Sequence, residues 1–220
     1  MPNNPLDNPA FNDNRRYDYS DERFYVRAEF PMIAGWIPDG SKVIDLGCGN
    51  GSLMKYILDK KKEVKIEGIE VSDSGVGFCR KNGMNARIGK IDDSGTYKEY
   101  REKEFNYAVC NVTIQMVMFP EVLLQEMSRI ANFLIVSFPN FAYIENRFDL
   151  LFNGIMPRPM LHGYSWYNTG HIHQLSNKNF ENFCKKFSIV ILERRHLGAL
   201  KFFALAGGNL FAKETVYLCK

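Results

Sequence analysis

No stretch of this 220-residue sequence approaches the ~20 consecutive apolar residues that cross a bilayer. Its first residues are polar and rich in Asn, without the apolar core of a secretory signal. Charge of one sign is also missing. Twenty-eight Lys and Arg stand against 25 Asp and Glu, a formal net charge of +3, too little to argue for a nucleic-acid partner. The densest basic run, Lys60-Lys61-Lys62, falls where a helix is expected to end, and cations there complement the helix dipole. The five cysteines, Cys48, Cys79, Cys110, Cys184 and Cys219, form no CxxC pair and are odd in number. Free thiols in a reducing compartment explain this better than a disulfide framework, so a cytoplasmic protein is expected. Cys79, Cys110 and Cys184 have apolar neighbours and are expected to be packed. Repeats and long low-complexity tracts are absent.

What is present is the composition of a globular domain, 45% hydrophobic and 24% charged. Residues 1–16, with three prolines and many Asn, are expected to form a loose arm, and residues 20–36 a helix interrupted by Pro31. From residue 37 onward strands and helices alternate. Lys42–Leu46, Val64–Glu70, Asn85–Ile88, Tyr107–Asn111 and Phe133–Phe138 read as strands. Ser52–Lys60, the segment capped by Ser72 or Asp73 and closed by Gly83, and Pro120–Ala131 read as helices. In the last of these, Val122, Leu123, Met127 and Ile130 are expected to face inward. Continuous apolar strands in β-α-β-α-β order predict a mostly parallel sheet covered on both faces. Ile189–Leu192 and Glu214–Leu218 lack a convincing helix between them, which predicts an antiparallel pair. An α/β Rossmann-like fold with a mostly parallel sheet and a C-terminal antiparallel hairpin is the pattern of class I methyltransferases. The expected organisation is an arm and helix over 1–36 and one domain over 37–220. That domain carries an insertion at about 139–175, which holds Tyr164, Trp166, Tyr167 and three of the four histidines.

The candidate site is the loop Gly47-Cys48-Gly49-Asn50-Gly51 between the first strand and its helix. Glycines there allow a tight turn and close approach of a ligand, and the helix N-terminus can offer N–H groups to an anion. Asp45 near the strand end suits a positive amino group. Glu70 closes the second strand, where an acid accepts from both ribose hydroxyls. A nicotinamide site wants Gly-x-Gly-x-x-Gly, and here the third glycine comes one residue early. S-adenosylmethionine is therefore the expected cofactor, with a nicotinamide as the weaker alternative. Asp45, Gly47, Cys48, Gly49, Gly51, Glu70, Val71, Asp92 and Asn111 are the expected cofactor contacts. Lys90 stands where many methyltransferases carry an adenine-binding Asp, a role Lys cannot fill because it has no acceptor, so Asp92 is the substitute. For Asn111 two readings stand, a contact with the methionine end of the cofactor and a plain strand-terminating turn.

Residues 30–53 resemble the opening of the MetW family of methionine-biosynthesis proteins. So do Gly68-Ile69-Glu70, Glu126-Met127-Ser128-Arg129-Ile130, Ile135-Val136-Ser137-Phe138-Pro139-Asn140-Phe141, Gly154-Ile155-Met156-Pro157 and Trp166-Tyr167-Asn168-Thr169-Gly170-His171-Ile172-His173. The likeness extends over about residues 30–197. It implies a methyltransferase-like fold that works with homoserine O-acyltransferase in methionine biosynthesis. A small-molecule methyltransferase of another pathway, and a non-catalytic partner that activates the acyltransferase, are the alternatives. The chain departs from the family pattern in an N-terminal extension of roughly thirty residues, in Lys90, and in the tail Gly198–Lys220.

Methyl transfer mainly requires alignment of the acceptor, with a base where the acceptor loses a proton. His171 and His173 alternate along the chain, so an extended segment puts both on one side. They precede a segment expected to be a capped helix, Ser176–Phe187, with Phe180, Phe183, Cys184 and Phe187 as its core stripe. They are the candidate catalytic residues, and orienting the insertion by hydrogen bonding is their other reading. No third ligand at suitable spacing argues for zinc. Tyr143, Tyr164, Trp166 and Tyr167 stand as pocket, partner surface or core.

Overall fold

The computed structural model describes residues 19, 23–157, 166, 169–198 and 207–220. The loose arm expected over residues 1–16, together with Tyr164 and Tyr167, lies outside the described residues. Seven strands, β1 (Lys42–Leu46), β2 (Lys65–Glu70), β3 (Asn85–Ile88), β4 (Phe105–Asn111), β5 (Ala131–Pro139), β6 (Ile191–Leu197) and β7 (Glu214–Cys219), form one sheet in the order β3-β2-β1-β4-β5-β7-β6. The first five pair in parallel, and β7 runs antiparallel between β5 and β6. This is the Rossmann-like sheet with a C-terminal antiparallel hairpin that the alternation of elements predicts.

The helices are α1 (Phe30–Trp36), α2 (Ser52–Lys60), α3 (Asp73–Lys81), α4 (Pro120–Ile130), α5 (Ile144–Phe148) and α6 (Asn177–Lys186), with a π turn over Asp149–Asn153. They cover the sheet on two faces. Val43, Tyr107, Val109, Ile135 and Val216 pack with Phe30, Ile33, Leu53 and Ile57 of α1 and α2. The alternate positions Ile44, Ala108, Cys110, Leu134, Val136 and Tyr217 pack with Leu123, Met127, Phe180 and Cys184 of α4 and α6. Burial on both sides is why the central strands are almost continuously apolar. All five cysteines are buried and free.

Four expectations are refined. The helix expected over residues 20–36 begins only at Phe30. Upstream, backbone groups bond to loop side chains instead: Tyr25 N–H donates to Ser52 Oγ, and Arg23 C=O accepts from Asn50 Nδ2. Pro31 then sits in the first turn of α1, where its missing N–H costs nothing. In α4 the inward face is Leu123, Leu124, Met127 and Ile130, with Val122 half-buried. The strand expected at Ile189–Leu192 is β6, displaced to Ile191–Leu197 with a bulge between Ile191 and Glu193. It is an edge strand, so Glu193, Arg194, Arg195 and His196 occupy it without hydrophobic periodicity. Glu193 accepts from the Trp36 indole at 2.9 Å, and the Arg195 guanidinium lies 4.2 Å from the Trp36 ring centre. Finally, the capped helix expected over Ser176–Phe187 runs Asn177–Lys186, with Ser176 and Asn179 exchanging bonds in a capping box.

The Ser-Phe-Pro-Asn-Phe run has a structural explanation. Asn140 is fully buried just beyond β5 and ties three segments together. Its Nδ2 donates to the carbonyls of Asn209 and Ala212, and its Oδ1 accepts from the N–H groups of Ala142 and Asn177. Asn140→Ala leaves these backbone groups without their partner, and a loss of about 3 kcal/mol is expected. Urea denaturation followed by circular dichroism measures it, and a loss below roughly 1 kcal/mol would contradict the hub role.

Candidate functional site

Strand alternation builds the site. On the face covered by α1 and α2, the position following Ile66 and Gly68 on β2 is Glu70, and the one following Val43 on β1 is Asp45. After Val109 on β4 comes Asn111, and after Ile135 on β5 comes Ser137. On the antiparallel β7, the position before Val216 is Glu214. The apolar layer of five neighbouring strands β2-β1-β4-β5-β7 is thus crowned by a staggered polar row along the carboxyl edge of the parallel strands. Asp45, Glu70 and Ser137 are buried.

The glycine loop lies over this row. Gly47, Gly49 and Gly51 all have left-handed φ, of 80°, 56° and 77°. A Cβ on Gly47 would come within 2.6 Å of Thr113, and one on Gly51 within 2.7 Å of Met84. The Glu70 carboxylate accepts from the N–H groups of Gly49 and Val71, each at 2.8 Å, and of Ser72 at 3.0 Å. The loop is therefore pinned to the end of β2. Tyr19 lays its ring against Gly49 and Gly75, and Cys48 lies buried beside Gly68. One expectation changes here. The N–H of Ser52, at the start of α2, is closed by Asn50 Oδ1 at 3.1 Å rather than offered outward.

Asp45 is 2% exposed. Burial, and then the nearby Glu70 charge, push its carboxyl from 3.8 up to about 7. A hydrogen bond with Cys79, then burial and the nearby Asp45 and Glu70 carboxyls, hold the Cys48 thiol well above its usual range.

Asn111 has polar contacts on both sides. Its Oδ1 accepts from Ser137 Oγ at 2.5 Å, and its Nδ2 donates to Glu29 Oε1 at 3.1 Å. Glu29, 2% exposed just before α1, also pairs with Arg27 Nε at 2.5 Å. Val112 follows with a left-handed φ of 56°, unusual for a β-branched residue, and Ser137 takes up its N–H through both its carbonyl and its Oγ. Glu214 Oε1 is enclosed and has no hydrogen-bond partner among the described residues. Burial, reinforced by Glu29 and opposed by Arg27, raises the Glu214 carboxyl to about 7.

Asp92 is buried, but its Oδ2 accepts from the N–H groups of Met118 and Phe119, and Lys90 Nζ lies 4.0 Å from its Oδ1. It anchors the loop after β4. His171 and His173 belong to a segment stitched to that same loop, where Gln115 C=O accepts from the N–H groups of Ile172 and His173. His173 Nε2 lies 3.4 Å from the Met118 carbonyl. The structure therefore brings Asp45, Gly47, Cys48, Gly49, Gly51, Glu70 and Val71 together around the loop, with Asn111 further along the row. Asp92 and the histidines gather at the loop after β4. Ser137, Glu29 and Glu214 were missing from the sequence-based set. Counting by twos from the apolar positions finds Ser137 and Glu214, whereas no local pattern announces Glu29. Among the described residues no group of three His, Cys, Asp or Glu could hold a metal, and no helix could cross a membrane.

The family model of methionine biosynthesis protein MetW matches residues 27–219. The tail Gly198–Lys220, expected to be a departure from the family, thus falls almost wholly within the match. The bifunctional methionine biosynthesis protein MetXA/MetW of Rhodopirellula baltica is 33% identical over 141 residues, 60% of this chain and 22% of that protein. The matched stretch is thus under a quarter of that relative's length. A methyltransferase of Thermotoga maritima, dependent on S-adenosylmethionine, superposes with a TM-score of 0.61 at 16% identity, over 95% of this chain and 91% of that one. The [4+2]-cyclase SpnF superposes with a TM-score of 0.62 at 12% identity, over 93% and 86%. The fold is that of S-adenosylmethionine-dependent methyltransferases, and the cyclase illustrates that fold alone does not settle reaction.

The raised Asp45 carboxyl has a consequence for stability. Between about pH 4 and pH 7 the folded chain keeps a proton that the unfolded chain releases. The stability contributed by Asp45 is full below its unfolded value and is lost as pH rises through about 7. Asp45→Asn is therefore expected to melt higher than the unsubstituted protein at pH 8, with the two converging near pH 4. Equal melting temperatures across the whole range would contradict the assignment.

Proposed function

The chain belongs to the MetW family of methionine biosynthesis proteins, and from that premise we propose that it binds S-adenosylmethionine at the Glu70–Asp45–Asn111 part of the polar row and acts as a methyltransferase in a methionine-linked reaction. The observation that carries this reading is the buried combination of Asp45 and Glu70 beneath three left-handed glycines. A carboxyl held near pH 7 by burial regains its charge when a cation is placed beside it, and the amino group of the cofactor is such a cation. Glu70, oriented by three N–H groups, suits the ribose hydroxyls, with Val71 beside it. Gly47, Cys48, Gly49 and Gly51 supply the close-fitting floor, and Asn111 the end nearest the reacting group. Asp92 shapes the adenine end by holding the loop after β4. S-adenosylmethionine, when bound, supplies an electrophilic methyl group. The protein's part is to orient the acceptor and exclude water. His171 and His173 remain candidates for contact with the acceptor through the loop they are stitched to.

Calorimetry tests the cofactor reading. Wild type is expected to bind S-adenosylmethionine or S-adenosylhomocysteine at one site. Gly49→Arg should abolish binding with the fold intact, and Glu70→Ala should weaken it about tenfold or more through lost charge-assisted hydrogen bonds. Binding of neither cofactor form by folded wild type would refute the proposal.

A second reading is favoured by one surface. Phe148, Leu150, Leu151, Phe152, Ile155 and Met156 are large apolar side chains exposed together on and after α5. Contiguous exposure of this kind marks interaction sites. The Rhodopirellula relative joins MetXA and MetW in one name, and homoserine O-acyltransferase is the partner we assign to this surface. Leu151→Glu combined with Phe152→Glu is expected to abolish co-purification with that acyltransferase and to leave cofactor affinity unchanged. Failure of the unsubstituted proteins to associate would refute the partnership.

A further inference from the structure

The far end of the polar row carries an imbalance that the cofactor contacts leave untouched. Two carboxylates, Glu29 and Glu214, lie close enough for the charge of one to raise the other, and a single guanidinium, Arg27, faces them. Arg27 is closed onto Glu29 Oε1, which also takes the Asn111 amide. Glu214 Oε1 is enclosed with no donor in reach among the described residues. No other charged side chain stands opposite Glu214 on the flanking strands, where its register partners are Pro139 on β5 and Leu197 on β6. Lys213, the adjacent residue, directs its ammonium to Glu145 at 3.4 Å. A buried carboxyl oxygen without a donor costs free energy, and a site short of one positive donor is complementary to a ligand that brings one.

We propose that Glu214, with Glu29 beside it, is the recognition end for an acceptor bearing a protonated amine, and that this end disfavours carboxylate acceptors. The inference rests on the cofactor reading only for the word acceptor. The enclosed Glu214 Oε1 without a donor among the described residues stands without it. The Ser137–Asn111–Glu29 chain of hydrogen bonds fixes Glu29 in place, so Glu214 Oε1 is the acceptor of the pair that still lacks a donor among the described residues. The raised Glu214 carboxyl agrees: with no cation present it keeps its proton up to about 7, and an ammonium group in contact favours the ionised form. A carboxylate ligand meets the opposite situation, two like charges and a guanidinium already engaged.

The test uses the full chain saturated with S-adenosylhomocysteine, so that the cofactor's own amino group already has its place. n-Butylamine, n-butyrate and n-butanol serve as probes in calorimetry and thermal-shift measurements at pH 8. The amine is expected to bind and the other two are not. Glu214→Gln, which keeps the shape, should weaken the amine about tenfold or more and leave S-adenosylhomocysteine affinity within about twofold. Glu214→Asp, which keeps the charge, should retain part of the amine binding. Butyrate binding as well as butylamine, or amine binding unchanged in Glu214→Gln, would overturn the inference. So would loss of cofactor binding in that folded variant, because it would give Glu214 to the cofactor instead. The amine series is repeated without cofactor. Binding there that Glu214→Gln removes supports the site even if wild type takes no cofactor, an outcome that would refute the cofactor reading alone.

Discussion

Buried polar groups need partners, and the carboxyl edge of this sheet concentrates such groups on one face. Below that edge the strands bury apolar side chains against α1 and α2. One step further along the same face stand Glu70, Asp45, Asn111, Ser137 and Glu214. Some are satisfied from within: Glu70 by three loop N–H groups, Ser137 and Asn111 by each other. Asp45 and Glu214 instead remain protonated into the neutral range because burial and a negative neighbour outweigh any nearby cation, which for Glu214 is Arg27. Carboxyls held this way are costly to the fold and suited to a positively charged ligand.

The segment before α1 supplies much of that enclosure. Residues 23–25 bond to Asn50 and Ser52 at the glycine loop, and Arg27 and Glu29 reach the ends of β4 and β7. A helix in this position would have satisfied its own backbone and could not have crossed the loop. On the other side of the carboxyl edge, Asp92 and the backbone of residues 172–173 hold the loop after β4. Asn140 joins the end of β5 to α6 and to the segment before β7. Behind these ties, a run of large apolar side chains on and after α5 is exposed among the described residues.

Legibility from sequence followed the range of the interaction involved. The strand and helix positions from β1 through β5 were recoverable because each depends on local periodicity and caps: Ser72 caps α3, Gly83 follows it at φ 76°, and the glycine loop sits between β1 and α2. The edge strand β6 was misplaced because its charged residues are held by tertiary partners, Trp36, 157 positions from Glu193, and Glu181 on α6. Glu70 and Asp45 were recognisable from their places at strand ends. Asp92 was recognisable as polar and near the right strand, but not as the anchor of Met118 and Phe119.

By itself the sequence determined the alternation of elements, the parallel sheet with its antiparallel finish, the glycine loop and the acid that closes β2, since these follow from spacing, caps and backbone freedom within short windows. Only the tertiary structure decided how those parts share one surface. It set Glu29 from the N-terminal segment against Asn111, brought Glu214 from the last strand to the same edge, and left Glu214 Oε1 without a donor among the described residues. The reason is physical. Hydrogen bonds and fields between residues some 80 to 185 positions apart depend on strand order and register, and no local pattern in a chain encodes which strand ends will meet.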